Sequence, residues 1–142
     1  MRRWRPSVTL LACALILGGA LVASGSALLG VVLFVVLAAA AAVVSPPAFP
    51  RSITDAEARS HSARDGRPIV YWRPGCPYCL RLRATMIGRA DRVHWVDIWS
   101  DPEGAASVRA VAGGNETVPA VITPVEAMVN PGPDRVRTLV GG

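Results

Sequence analysis

Two cysteines separated by two residues, Cys76 and Cys79, carry the clearest chemistry in the sequence. They lie in Cys76-Pro77-Tyr78-Cys79, at the junction where a predicted buried strand at Ile69–Trp72 is followed by a helix predicted from Pro77 to about Gly88. The unpaired N–H groups and the dipole at a helix N-terminus stabilise a thiolate. We therefore expect Cys76 to be an exposed nucleophile of low pKa, and Cys79, one turn along and more buried, to be the resolving thiol.

Two cysteines at this spacing can also be half of a zinc site. Such a site needs two further ligands, for which His61 and His94 are the available histidines. These fall on a polar helix before the sheet and on the second strand, and we do not expect them to form a second close pair. A [2Fe–2S] cluster shared between two copies of the chain is a further alternative. The favoured interpretation has no metal.

A second motif, Thr117-Val118-Pro119, lies where the third strand is expected to begin. Proline cannot donate a hydrogen bond in a sheet, so its position needs a reason. If the Val118–Pro119 bond is cis, the Val118 backbone turns outward beside the cysteines and can pair with an extended substrate. Arg73 is a candidate partner for the Cys76 thiolate or for an anionic thiol, although it could equally belong to a solvated basic face.

The elements that position these motifs follow from periodicity and capping signals. The strand–helix–strand order around Cys76 requires a parallel pair, to which a hairpin adds antiparallel strands. The result is an α/β fold with a four-stranded mixed sheet flanked by helices. Leu80, Ala84 and Ile87 are expected on the buried face of the cysteine helix. The other predicted elements are a helix from Thr54 to about Ala63, strands at Val93–Trp99, Val118–Ile122 and Ala127–Val129, a helix from Asp101 to Gly113, and a helix at Pro133–Val140.

The motifs together resemble those of glutaredoxins, which have the thioredoxin-like fold. The resemblance rests on Val70-Tyr71-Trp72, Cys76-Pro77-Tyr78-Cys79 and Thr117-Val118-Pro119, and it covers about residues 67 to 140. The run from Gly113 to Pro119, followed by Val129-Asn130-Pro131, is similar to mycoredoxins, the actinobacterial members that work with mycothiol.

This resemblance implies a thiol–disulfide oxidoreductase that reduces mixed disulfides between proteins and a small thiol. Cys76 would take the small thiol onto itself, and Cys76 and Cys79 would form the redox-active disulfide. The implied thiol-binding residues are Tyr78, Thr117, Val118 and Pro119, with Arg73 beside them. Glutathione-using members usually carry Gly-Gly followed by acidic residues, where this chain has Asn130-Pro131-Gly132-Pro133-Asp134. The co-substrate is therefore expected to be mycothiol, recycled by its reductase, rather than glutathione, and no cofactor is expected to stay bound.

The amino-terminal third has the composition of a membrane anchor. No charged residue occurs from Pro6 to Pro50, a stretch longer than the roughly 20 apolar residues that a single spanning helix needs. Two apolar runs, Val8–Ala23 and Ala27–Val44, flank a Ser-Gly-Ser break and predict a hairpin of two short transmembrane helices. Residues 1–50 would thus be anchor and linker, the linker being Pro46–Arg51, and residues 51–142 the catalytic domain.

Arginines on both flanks of the hairpin predict that both ends are cytoplasmic. All fifteen basic residues are arginine, and those next to the hairpin are Arg2, Arg3, Arg5, Arg51, Arg59, Arg64 and Arg67. Residues 51–142 carry a net charge of only +2, which argues against a nucleic-acid partner. A cleaved signal peptide ending near Ala23–Ala27 is the rival interpretation. It would make the protein an exported, anchored thiol–disulfide oxidase or isomerase, and a thioredoxin-like dithiol donor is the other alternative.

Overall fold

The computed structural model describes residues 4–45 and 49–141. The chain divides into two compact units, Met1–Ala48 and Phe49–Gly142. The second unit begins two residues before the expected domain boundary. Phe49, expected in the linker, is enclosed in this unit. The predicted Pro46-Pro47 break and the first two arginines lie outside the described residues.

The first unit is a helical hairpin whose two helices pack through small residues. Helix α1 spans Arg5–Ala23 and α2 spans Ala27–Val43, joined by a turn in which Gly25 has a φ of 87°. A Cβ atom on Gly30 would lie 2.6 Å from the carbonyl oxygen of Gly18. Glycine at this crossing therefore lets the two backbones approach closely.

The two helices differ in their capacity to cross a membrane. Among the described residues, only α1, with 19 residues, is both long and apolar enough by length and composition. Helix α2 is apolar but has 17 residues, one fewer than the predicted run, because it ends at Val43. At 1.5 Å per residue it is about 26 Å long, against a hydrocarbon core of about 30 Å.

The second unit has the predicted thioredoxin-like architecture. Its sheet has the order β2-β1-β3-β4, with β1 and β2 parallel and the other neighbours antiparallel. The element order is confirmed, and the bounds are α3 Asp55–Asp65, β1 Ile69–Trp72, α4 Pro77–Thr85, β2 His94–Asp97, α5 Pro102–Val111, β3 Ala120–Ile122, β4 Ala127–Val129 and α6 Pro133–Leu139, with a 3₁₀ turn at Ala90–Arg92.

Helix α4, which begins after Cys76 and contains Cys79, is shorter than predicted and buries a different face. It ends at Thr85 instead of Gly88. Leu82 and Met86 are buried, together with Cys79, whereas Ala84 is exposed and Ile87 is 75% exposed. The predicted face was wrong: Leu82 and Met86 lie three and seven positions after the buried Cys79 and share its side of the helix.

A buried carboxylate ties the flanking helices to the central strand. Asp55, in the first turn of α3, accepts hydrogen bonds from the Tyr71 hydroxyl of β1 at 2.6 Å, from Arg59 at 2.8 Å and from Ser107 of α5 at 2.9 Å. Burial and the hydrogen bond to this carboxylate raise the pKa of Tyr71. Strand β1, which leads into the cysteines, is thus held from the α3 and α5 side by a satisfied polar network.

Candidate active site

The end of β1 and the start of α4 position the first cysteine. After Trp72 the chain turns through Gly75, whose φ of 78° suits glycine, and the Cys76 N–H donates to the Arg73 carbonyl at 3.4 Å. Cys76 is the N-cap of α4, and its sulfur accepts a hydrogen bond from the Cys79 N–H at 3.3 Å. The sulfur therefore takes the place of the oxygen that usually caps a helix.

These surroundings favour the thiolate of Cys76. A hydrogen bond from the Cys79 thiol is the largest influence lowering the pKa of Cys76 to about 6. The backbone N–H groups of Cys79 and Tyr78 and the charge of Arg73 act in the same direction, while burial opposes them. Thiolate is thus the main form of Cys76 at neutral pH, as a nucleophile requires.

The expectation that Cys76 is exposed was wrong, because this residue is only 6% exposed, and Cys79 is 1% exposed. The Cys76 sulfur at the N-cap lies against the Val118 backbone, a contact that a sequence pattern does not reveal. The relative order is as expected, with Cys79 the deeper of the two. Both cysteines are free thiols in this structure.

Cys79 has the opposite electrostatic character. Its hydrogen bond to the Cys76 sulfur, its burial and the neighbouring charge on Cys76 all raise the pKa of Cys79. A thiol that keeps its proton is a donor to the adjacent thiolate. The pair can therefore hold one negative charge, located on Cys76.

The Thr117-Val118-Pro119 motif lies beside the cysteines. The Val118–Pro119 bond is cis, which is the condition under which the Val118 backbone was expected beside the cysteines. The Cys76 sulfur lies 3.5 Å from the Val118 carbonyl oxygen, to which it donates when it is protonated. The Asn130 N–H, at the end of β4, donates to the Pro119 carbonyl at 2.7 Å. Asn130 thereby helps to fix this motif, a connection that the sequence analysis missed because it depends on strand pairing.

The other predicted thiol-binding residues differ in accessibility. Tyr78 is 58% exposed and Thr117 is exposed, so both can contact a bound molecule. Pro119 is fully buried, and Arg73 is half-buried beside the cysteine turn. Their roles in binding stay predictions.

The two histidines form a pair, contrary to expectation. The rings of His61 and His94 are 5.3 Å apart between centroids, and His94 Nε2 lies 3.0 Å from Asp65. His94 is at the start of β2 opposite Ile69, whereas Cys76 follows the other end of β1. The histidine pair and the cysteines therefore lie at opposite ends of the parallel strands and do not combine into one four-ligand zinc site.

Comparisons with known proteins agree with this geometry. The family model described as Glutaredoxin matches residues 69–124, which include both cysteines and the cis proline. Two proteins of Mycobacterium tuberculosis, from strains CDC 1551 and H37Rv and each named "Putative glutaredoxin", are 35% identical over 69 residues. That alignment covers 48% of this chain and 82% of each relative.

The chain belongs to the glutaredoxin family. As a glutaredoxin it is a thiol–disulfide oxidoreductase, and a buried helix-capping thiolate paired with a protonated thiol suits that chemistry. The family match begins at Ile69, so the hairpin and residues 49–68 of this glutaredoxin lie outside it.

Phe49 and Ser52, which contact the strand leading to the cysteines, were missed by the sequence analysis. The signal that could have revealed them is an aromatic residue standing alone in a proline-rich connection. Such a residue has no reason to be there if the connection is only a spacer.

Proposed function

We propose that this glutaredoxin reduces mixed disulfides between proteins and mycothiol, acting through Cys76 while anchored to a membrane. The observation that carries the proposal is the asymmetry of the cysteine pair. The pKa of Cys76 is lowered to about 6 and that of Cys79 is raised, so one thiol attacks and the other stays protonated.

The reaction requires two thiol–disulfide exchanges. The Cys76 thiolate attacks the small-thiol sulfur of the mixed disulfide, the protein leaves as a thiolate, and Cys76 now carries the small thiol. A second small-thiol thiolate attacks that sulfur and releases the Cys76 thiolate. The product is the oxidised small-thiol dimer, which a reductase returns to two thiols. Cys79 is not required as a nucleophile in this route. When its thiolate attacks the Cys76 sulfur that carries the small thiol, the small thiol leaves and the enzyme is diverted into the internal Cys76–Cys79 disulfide.

Mycothiol is favoured over glutathione by the segment between β4 and α6. Pro131 and Pro133 have no N–H group, so this segment offers fewer backbone donors than the Gly-Gly of glutathione-using relatives. Asp134 lies after them with its side chain 90% exposed. The similar proteins come from an actinobacterium, which is consistent with a mycothiol-dependent enzyme.

The membrane part of the proposal is a hairpin with two short spans and both ends cytoplasmic, in contact with lipid. Helix α1 is long and apolar enough to span, and large apolar side chains cover the outside of both helices. A shorter α2 is accommodated if the bilayer thins locally. The second unit, Phe49–Gly142, which we call the catalytic unit, would then meet a small-thiol pool that is kept reducing.

The enzymatic test is an assay of the full chain in detergent with a protein mixed disulfide, comparing mycothiol and its reductase with glutathione and its reductase. We expect faster turnover with mycothiol. Equal or faster turnover with glutathione would overturn the thiol assignment and leave the family assignment standing.

The topological test is a reporter fused after residue 142 together with sequencing of the mature N-terminus. We expect a cytoplasmic reporter and an intact N-terminus. A reporter active outside, or a mature N-terminus near Ala27, would instead favour an exported thiol–disulfide oxidase or isomerase.

A further inference from the structure

The segment just before the capping box of α3 is packed onto the central sheet. Phe49 is 6% exposed, and its ring stacks on the indole of Trp72 with centroids 3.7 Å apart and planes inclined by 12°. The same ring meets Trp95 edge-on, at 5.7 Å and 70°. Aromatic contacts of both kinds are favourable beyond the area they bury.

Two hydrogen bonds fasten the rest of the segment. The Trp72 indole N–H donates to the Ser52 hydroxyl at 2.9 Å, and the Ile53 N–H donates to the Trp95 carbonyl at 3.0 Å. The first bond fixes the last residue of β1, and the second lies along the edge strand β2. Residues 49–53 are therefore attached to the sheet of the catalytic unit at its β2 edge.

Trp72 connects this segment to the active site. It is fully buried, and its carbonyl accepts from the Ile98 N–H at 3.0 Å, so ring, indole N–H and backbone are each held by a different partner. The next residue is Arg73, whose carbonyl receives the Cys76 N–H and whose charge favours the thiolate. Because Arg73 directly follows Trp72, we expect a movement of the Trp72 ring to displace the turn that holds Cys76.

We propose that Phe49 and Ser52 are positioning residues for the nucleophile: the Phe49–Ile53 segment clamps the end of β1 and thereby fixes the turn that presents Cys76. This inference rests on the proposed role of Cys76. It extends the functional unit by about twenty residues before the part that matches the family model, which begins at residue 69.

The test measures the pH dependence of Cys76 alkylation in the reduced full chain in detergent, read at that residue by peptide mass spectrometry. In Phe49→Ala we expect the midpoint to rise by about half a pH unit, which lowers alkylation at pH 5 about threefold. Ser52→Ala removes only one hydroxyl and should shift the midpoint in the same direction by less. Phe49→Tyr keeps the aromatic ring and should restore the wild-type midpoint.

Val108→Ala is the matched control, because it truncates a fully buried side chain on α5 outside this contact. We expect it to lower the melting temperature without moving the midpoint. An unchanged midpoint in folded Phe49→Ala and Ser52→Ala would overturn the proposal, as would an equal shift in Val108→Ala. If Phe49→Ala does not fold, Ser52→Ala decides.

Failure of the proposed function would look different. In that case wild-type protein would not reduce mixed disulfides, or Cys76→Ser would keep the activity, whatever the alkylation midpoints of the Phe49 and Ser52 variants.

Discussion

In the hairpin, the side chains enclosed between the helices are small and the large ones face outward, whereas the catalytic unit has the reverse arrangement. Ser7, Ala14, Gly18, Gly30 and Ala41 are the buried residues of α1 and α2. On the outside of the same helices Leu15, Ile16 and Leu28 are among the exposed side chains. In the catalytic unit the largest fully buried side chains include Trp72, Tyr71, Leu82 and Met86.

The difference agrees with the proposed attachment of the hairpin to a membrane. Large apolar side chains are buried where water is the solvent, because their removal from water drives folding. Helices with large apolar side chains on the outside gain little free energy by removing those side chains from an apolar solvent. Close contact between the backbones, at glycine and alanine, must therefore hold such helices together. The chemistry of the protein is expected in the first kind of unit and its attachment in the second.

The sharpest test of this division compares the cysteines of the two units. Cys76→Ser should lower mixed-disulfide reduction at least about 100-fold, because a serine hydroxyl remains protonated where the thiol is ionised. Cys13→Ser, on the exposed side of α1, should leave the rate within about twofold. The measurement is the turnover of a protein mixed disulfide. Retained activity in Cys76→Ser would contradict the assignment of the nucleophile.

Cys79→Ser should separate two kinds of reduction. Reduction of protein dithiol disulfides should fall at least about tenfold, because Cys79 must attack Cys76 to release a bound protein. Mixed-disulfide reduction should stay within about threefold of wild type, since the small thiol itself regenerates Cys76. Parallel assays with both substrate types make the comparison. Loss of both activities would indicate a thioredoxin-like dithiol enzyme.

Alkylation of Cys76 should follow the ionisation of its thiol. The pKa of Cys76 is lowered to about 6. The thiolate is therefore protonated as the pH falls through that value, and ionisation is nearly complete well above it. The alkylation rate should therefore fall about tenfold from pH 7 to pH 5. Cys79→Ala removes the thiol donor and should raise the midpoint, whereas Cys79→Ser keeps a donor and should not. A midpoint near the ordinary cysteine value in wild type would refute this electrostatic description.

The smallest expected effect concerns the packing of the hairpin. Gly30→Ala brings a methyl group to within 2.6 Å of the Gly18 carbonyl oxygen, which we expect to destabilise the helix pair by about 1–3 kcal/mol. Gly19→Ala is the control, because a Cβ there meets nothing within 4 Å. Hydrogen exchange of α1 and α2 in detergent, measured by mass spectrometry, should speed up only in Gly30→Ala. Equal exchange in both variants would show that close glycine packing does not hold the hairpin.

Much of the catalytic unit could be predicted because its signals are local. Thr54 and Glu57 form the expected capping box, Ile69–Trp72 is the expected buried strand, and Pro102 begins the expected helix. Each of these depends on neighbouring residues, which the sequence displays directly. The buried side of α4 was not predictable in this way. Leu80 and Ile87 have the right spacing, but which face of a short helix is buried depends on the elements that pack against it.

For the active site, the sequence alone indicated the reacting groups, since two cysteines around Pro77-Tyr78 at a strand-to-helix junction favour thiol–disulfide chemistry over a metal site. It also raised the question of a cis bond at Pro119, because proline cannot donate a sheet hydrogen bond and its position there needs a reason. The folded structure was needed to show how much of each sulfur is accessible, that the two histidines lie together away from the cysteines, and that Phe49 belongs to the catalytic unit. These properties depend on residues distant in the chain meeting across strands, and a linear pattern records spacing along the backbone but not which distant surfaces pack against each other.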